Sequence, residues 1–344
     1  MRTPILSRRT FTAALALNAL TAGASSAQAI GPARKVAALN LGALDTLDAL
    51  GAAVAIVPAP PAGESTARWP RHLLAKYAHE RYVKLVSGRA EEGQPNPQVQ
   101  QLAALKPDLI VSGGRGRGSS TDAFKAIAPV VELSIDNARF VESVARNLVA
   151  LGTALGQEAL GRNHADALRA WVRALHASAA GQGTGLVMFN VGNRVMPQQA
   201  DARFGMLYEL IGIRSVLTPA DGAGLSSGRP PANRAAATDD PAAKAAADAE
   251  QKTRQAAEAK YLADVMGREP DWLFVVDRNA AFGEPKAAET MAATPVVANS
   301  RAWKQKKVVF LDQDGASWYL MAGSLGLLES SLRQVEAAFA RHAR

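Results

Sequence analysis

One phrase of nine residues, written twice, constrains this chain more than any other feature: Pro107-Asp108-Leu109-Ile110-Val111-Ser112-Gly113-Gly114-Arg115 and Pro270-Asp271-Trp272-Leu273-Phe274-Val275-Val276-Asp277-Arg278. Each copy opens on a Pro-Asp turn, continues as a short apolar run and places an arginine where the run ends. A short apolar run bounded by turn residues reads as a strand buried on both faces. Such strands belong to parallel α/β sheets, whose ligands collect beyond the strands' carboxyl ends. The repeat therefore predicts two similar lobes, each offering a cation to a shared cleft.

The chain around the two phrases alternates as that reading requires. Strands are expected at 36–39, 54–57, 83–86, 109–112 and 130–133, and helices at 44–50, 70–78, 97–105 and 121–127. A stretch with few breakers follows from Asn137 to about Ala180, and its Ala-, Leu- and Arg-rich second half is long enough to bridge two lobes as one helix before Gly181-Gln182-Gly183 stops it. Strands are expected again at 186–190, 272–277 and 308–311, with a closing amphipathic helix over 323–341. Residues 222–260 stand apart as a Gly/Ser/Pro stretch and then an alanine run. Asp240 as N-cap and Pro241 at the first helical position start a helix there that Gly267 ends. The expected organisation is a leader at 1–29, an N-terminal lobe at 30–156, a linking helix at 157–181 and a C-terminal lobe at 182–344 with an Ala-rich insertion at 222–260.

The leader has the three-part plan of a secretory signal: a basic start to Arg9, an apolar stretch from Phe11 to Ala22, and Ala27-Gln28-Ala29 as a small-x-small cleavage site. The apolar stretch is shorter than the roughly 20 residues a bilayer span needs. Ser7-Arg8-Arg9-Thr10-Phe11 is like the twin-arginine signal, an ordinary Sec signal with two arginines being the alternative. The expected location is the periplasm, as a soluble protein; the chain has no cysteine, which excludes lipid attachment there, disulfides and thiolate metal sites. The formal charge of +8 includes three arginines of the leader, so the rest of the chain carries +5. Without a Lys/Arg cluster interleaved with aromatics, this favours small anionic ligands over nucleic acid.

Among the residues that could carry chemistry, Arg115 and Arg117 lie in Gly113-Gly114-Arg115-Gly116-Arg117-Gly118, where glycines free backbone N–H groups to face an anion, although the spacing is not that of a dinucleotide loop. Arg203 precedes a helix start at Phe204-Gly205-Met206-Leu207, which also favours an anion. Arg278 follows Asp277, so an intramolecular ion pair competes with ligand binding there. Tyr319 stands beside Trp318, where aromatic packing is the competing reading. Gly224-Leu225-Ser226-Ser227-Gly228 has the Gly-x-Ser-x-Gly spacing of a hydrolase elbow but lies outside any strand-to-helix turn, which leaves a secreted serine hydrolase on Ser226 as a distant alternative. His72 and His79 lack the spacing and carboxylate partner of a metal site.

Taken in order, Leu41-Gly42-Ala43-Leu44-Asp45-Thr46-Leu47-Asp48-Ala49-Leu50-Gly51, the first Pro-Asp phrase, Arg203-Phe204-Gly205, Val276-Asp277-Arg278, and Ala302-Trp303-Lys304 leading to Trp318-Tyr319-Leu320 make the chain resemble periplasmic ferric-siderophore-binding proteins of the enterochelin and petrobactin type. The resemblance covers nearly the whole chain after the leader, except 222–260. It implies an α/β fold of two Rossmann-like lobes with mainly parallel sheets joined by a single long linking helix, the class III periplasmic binding protein arrangement, and a monomer without enzymatic activity. It implies a ferric catecholate siderophore as ligand, with Fe3+ carried inside that complex and no intrinsic cofactor, and an inner-membrane ABC permease as partner. Arg115, Arg203 and Arg278 match the arginines that hold the anionic complex, with Arg117 as a neighbour, and Tyr319 matches a tyrosine that can ligate the iron. The family's histidine has no counterpart, because no histidine occurs between His176 and His342. The family docks its permease through one glutamate per lobe, for which Glu92 and Glu209 are the expected residues. A haem or corrinoid ligand on the same fold is the alternative cargo.

Overall fold

Both Pro-Asp phrases become central strands, and both use the aspartate in the same way. In the computed structural model, which describes residues 35–60, 69–86, 96–113, 122–221, 241–284, 286–312 and 317–342, the first phrase forms β4 (Leu109–Gly113), flanked by β1 (Val36–Ala38) and β5 (Val130–Leu133). The second forms β9 (Trp272–Asp277), flanked by β6 (Thr184–Val191) and β10 (Val308–Phe310). Val36 is in register with Leu109, and Gly185 with Trp272. One residue earlier on each neighbouring strand, the Asp108 carboxylate accepts from the Lys35 backbone N–H at 2.6 Å and the Asp271 carboxylate from that of Thr184 at 2.8 Å. Each aspartate thus satisfies a donor that the parallel ladder leaves unpaired at the sheet's lower edge.

The first sheet runs β3-β2-β1-β4-β5, all parallel, with β2 (Ile56–Pro58) and β3 (Val83–Leu85). The helices α1 (Leu41–Ala49), α2 (Arg71–Tyr77), α3 (Pro97–Leu105) and α4 (Asp122–Lys125) connect its strands. Ala37, Ile56, Ile110, Leu85, Leu102 and Phe124 form its core. The second sheet runs β10-β9-β6-β7, where β7 (Arg194–Pro197) turns back antiparallel on β6 and the short β8 (Arg214–Ser215) adds to the same strand. Every residue of β9 is buried, and Leu186, Met188, Leu273 and Val275 lead its core. The α/β class with mainly parallel sheets is as expected; β7 and β8 are additions that no periodicity announced.

The breaker-poor stretch after β5 folds as two helices, α5 (Phe140–Ala154) and α6 (Glu158–Ala179), the second being the single helix expected over 157–181. A turn at 155–157 folds them against each other, and the glycines noted in the sequence make the close crossing: a Cβ on Gly161 would stand 2.5 Å from the Leu148 carbonyl oxygen, and one on Gly152 2.8 Å from Gly161 Cα. At 22 residues α6 is about 33 Å long, and it leads directly into β6. The short α7 (Met206–Ile211) precedes β8, and the next described helix is α8 (Pro241–Met266), which begins at Pro241 and ends before Gly267 as expected. Its last turns enter the core through Leu262, Val265 and Met266, and Glu258 pairs with Arg194 of β7 at 2.9 Å.

Four short helices, α9 (Arg278–Phe282), α10 (Ala287–Ala292), α11 (Pro295–Ala298) and α12 (Arg301–Lys304), lead to β10. Then α13 (Trp318–Met321) and α14 (Leu325–His342) close the chain. The two sheets belong to one compact unit over 35–344, and α1 is where they meet. Buried Asp45 of α1 accepts from the Leu327 N–H at 3.0 Å and Thr46 Oγ1 from the Leu325 N–H at 3.3 Å, so an anion and a hydroxyl of the first half cap the first turn of α14.

Candidate functional site

The carboxyl end of β9 places Arg278 by fixing the residues on either side of it. Asp277 is buried; its carboxylate accepts from Asn190 Nδ2 at 2.9 Å, the Asn279 N–H at 3.1 Å and the Ala287 N–H at 2.8 Å, which caps α9 and ties down the start of α10. The Asn279 amide is bound twice to Gly192, donating to its carbonyl at 2.7 Å and accepting from its N–H at 2.8 Å. With both neighbours held inward, Arg278 is the residue of this turn left to face outward. The expected competitor was a pair with Asp277; the ion pair that forms is with Glu284, Nη1 to Oε1 at 3.0 Å, because the Asp277 carboxylate is taken up by backbone and amide donors.

Tyr319 is placed by a second buried carboxylate. Asp312, just past β10, accepts from the Asp277 N–H at 2.5 Å and from the Trp318 N–H at 2.6 Å. One side chain therefore joins the residue before Arg278 to the residue before Tyr319. Burial pushes the Asp312 carboxyl up to about 8, against the two N–H donors that favour its charged form. Trp318 is itself buried, its indole N–H donating to Ser331 at 2.9 Å, so aromatic packing accounts for Trp318 while Tyr319 stays half-buried.

Arg203 completes the group from the loop before α7. Its guanidinium donates to the Tyr319 carbonyl at 2.7 Å and lies 4.2 Å above the Tyr319 ring centre. Arg278 stands 5.6 Å from the same ring and 4.3 Å from that of Phe282. Phe189, at the end of β6, stacks parallel to Tyr319 with ring centres 6.1 Å apart, and Phe282 meets it edge-on at 6.1 Å. Three residues from distant parts of the sequence, Arg203, Arg278 and Tyr319, are thus brought together as two guanidiniums about one phenol, on an aromatic floor that sequence reasoning missed. Phe282 had a legible signal, four residues after Arg278 on a helix; Phe189 had none. The helix α13 that carries Tyr319 abuts α1, with Met321 Cα 3.8 Å from where a Gly42 Cβ would be. The N-terminal turn of α1 in turn presses on Gly113, the end of β4.

Arg115, Arg117, Glu92 and Ser226 lie outside the described residues, as does the leader. Glu209 is described, and its carboxylate accepts from the Phe140 and Val141 N–H groups at 2.8 and 3.3 Å, capping α5. It is half-buried and engaged in a structural bond rather than standing free on the surface. His72 sits 3.3 Å from Asp45, and no cluster of metal-ligating side chains occurs among the described residues. No helix there is long and apolar enough to cross a membrane.

The chain is 25% identical over 304 residues to the petrobactin-binding protein YclQ of Bacillus subtilis, covering 88% of this chain and 81% of that one. It is 23% identical over 302 residues to the ferric-anguibactin-binding protein FatB of Vibrio anguillarum, covering 86% and 79%. Among solved structures it matches YclQ with a TM-score of 0.65 at 22% identity, over 89% of this chain and 92% of that one. It matches the periplasmic catecholate-siderophore binding protein VctP of Vibrio cholerae with a TM-score of 0.64 at 19% identity, over 88% and 93%. The family model described as periplasmic binding protein matches residues 36–314, and this chain, with its two mainly parallel sheets, belongs to that family of binding proteins.

Proposed function

We propose that the protein is a periplasmic receptor that captures an anionic ferric siderophore of the catecholate type and delivers it to an inner-membrane ABC permease. The observation that carries this reading is the convergence of Arg203 and Arg278 on Tyr319, two permanent cations over an aromatic floor at the carboxyl ends of a parallel sheet. A ferric catecholate spreads negative charge over several oxygens and presents flat rings, so guanidiniums bind its oxygens and aromatic faces its rings. The names of the relatives, which bind petrobactin and ferric anguibactin, support this ligand class.

In this reading Arg115 supplies a third cation from the loop after β4, with Arg117 beside it, across a cleft from Arg203 and Arg278. Charge-assisted hydrogen bonds contribute about 1.5–3 kcal/mol each, so three arginines supply a large part of the roughly 12 kcal/mol of nanomolar binding. Tyr319 offers its phenol oxygen to the iron, which is cargo and not a resident cofactor. The protein acts as a monomer, and Glu92 remains the docking residue proposed for the permease, Glu209 being occupied.

Tryptophan fluorescence during titration with a ferric catecholate tests the reading, since Trp318 adjoins Tyr319 and would be quenched by an absorbing ligand. Replacing Arg203 or Arg278 by alanine should weaken binding about tenfold or more while moving the melting temperature little. Unchanged emission at micromolar ligand would remove the catecholate reading, and a Soret or corrinoid band copurifying with the protein would replace it with another cargo.

A further inference from the structure

The two described arginines of the site are not equivalent. Arg203 donates to a neutral carbonyl and forms no ion pair among the described residues, whereas Arg278 is neutralised by Glu284. The half-site therefore presents one uncompensated cation and one cation that already has an anion. Glu284 is placed there by the backbone. Gly283 ends α9 in the left-handed conformation at φ 71°, and both its own N–H and that of Glu284 turn back to the Asn279 carbonyl. The Asn279 side chain is in turn locked to Gly192. So the main chain at Glu284 is fixed, while its side chain is 40% exposed and bonded through a single oxygen to one nitrogen of the guanidinium. A pair this exposed contributes little to stability and is readily exchanged.

We propose that Glu284 is the resident counter-anion of Arg278, displaced by the incoming ligand, and that it tempers the site's affinity for anions. This rests on the anionic iron-complex reading given above. A ligand that takes Arg278 must either expel the Glu284 carboxylate or sit beside it, and both cost affinity. That cost rises with the ligand's negative charge, because a more highly charged complex is repelled more strongly by the Glu284 carboxylate and competes with it more directly for the guanidinium, while an uncharged complex does neither. Glu284 thus weakens binding of every anion, and the more so the higher the ligand's charge.

The test uses Glu284→Gln, which keeps the shape and removes the charge, on the full-length protein with three iron probes: a trianionic tris-catecholate, a singly charged complex and an uncharged tris-hydroxamate. Affinity for the trianion should rise about tenfold, with a smaller gain for the single charge and less than a twofold change for the neutral probe. The gain should vanish when Arg278→Ala is combined with it. Equal or weaker binding of the trianion by a variant with unchanged melting temperature overturns the proposal, the weaker case meaning that Glu284 orients Arg278. If the wild type binds none of the probes, the ligand reading has failed, and the counter-ion is then judged by phenylglyoxal modification of Arg278 followed by peptide mass spectrometry. Removal of the carboxylate should speed that reaction several-fold; equal rates in the two proteins overturn the counter-ion itself.

Discussion

Gly183 and Asp271 show how much of this fold rests on single atoms. Gly183 has φ 87°, a conformation that L side chains rarely adopt, and a Cβ there would stand 2.1 Å from Asp271 Oδ2, the atom that accepts from Thr184. Gly183→Ala should therefore strain the backbone and push the carboxylate off its donor, at a cost of about 2 kcal/mol or more in urea unfolding. Gly181, two residues earlier with open space around its Cβ position, is the control and should tolerate alanine. A neutral result at both positions would mean that the aspartate bond contributes nothing. The Pro-Asp of each phrase was legible as a turn. Its carboxylate bond to the next strand was not, because the partners Lys35 and Thr184 lie far away in sequence and come within reach only in the folded register. The same holds for Arg278: the arginine at a strand end could be read, but the choice of Glu284 over adjacent Asp277 depended on three donors that fold onto Asp277.

The β3 strand is an element with an exposed edge, and the chain closes that edge with side chains. The Gln101 side chain of α3 donates to the Lys84 carbonyl at 2.8 Å and accepts from the Val86 N–H at 2.8 Å, copying the two bonds a further strand would make, and Gln98 donates to the Val86 carbonyl at 3.1 Å. Val83 and Val86 are among the few large apolar side chains exposed in the described residues. An unpaired edge beside them would invite intermolecular strand pairing. Gln101→Ala is expected to cost about 1 kcal/mol in urea unfolding and to raise light scattering on warming; unchanged scattering would show that the edge is protected by other means. At this scale the long or strongly patterned elements were readable, down to Pro241 as the first residue of α8. The four short helices between β9 and β10 were not, since four to six residues hold no full hydrophobic period, and neither were β7 and β8, which exist only by pairing with β6. The single helix expected over 157–181 is α6, but its folding back against α5 was not legible, because Gly152 and Gly161 read only as interruptions and are the surfaces on which the two helices touch.

For the whole molecule the joint at α1 matters most, since there Asp45 and Thr46 of that helix cap the helix that closes the chain. His72 of α2 reaches the same carboxylate, and its pKa is raised above 6.5, chiefly by the hydrogen bond to Asp45. A histidine favoured in its charged form in the folded state stabilises the protein below about pH 6.5, and that contribution fades as the pH rises through its folded-state value. His72→Gln should therefore lower stability at pH 5.5, by less than about 1 kcal/mol for a half-exposed pair, and leave it unchanged at pH 8.5, as read from urea midpoints. An equal loss at both pH values would assign His72 to packing alone.

By itself the sequence determined the class of fold and the placing of Arg278 at the end of a buried strand, because buried strands, turn residues and helix starts are written in local patterns of hydrophobicity and side-chain chemistry. Only the tertiary structure decided which side chains share a site: that Arg203, Arg278 and Tyr319 meet over Phe189 and Phe282, that Asp312 ties two of them together, that Glu209 caps a helix and that Glu284 neutralises one arginine. These are contacts between residues far apart in the chain or around a turn, and their partners are chosen by packing and by which donors remain unsatisfied once the sheets have formed.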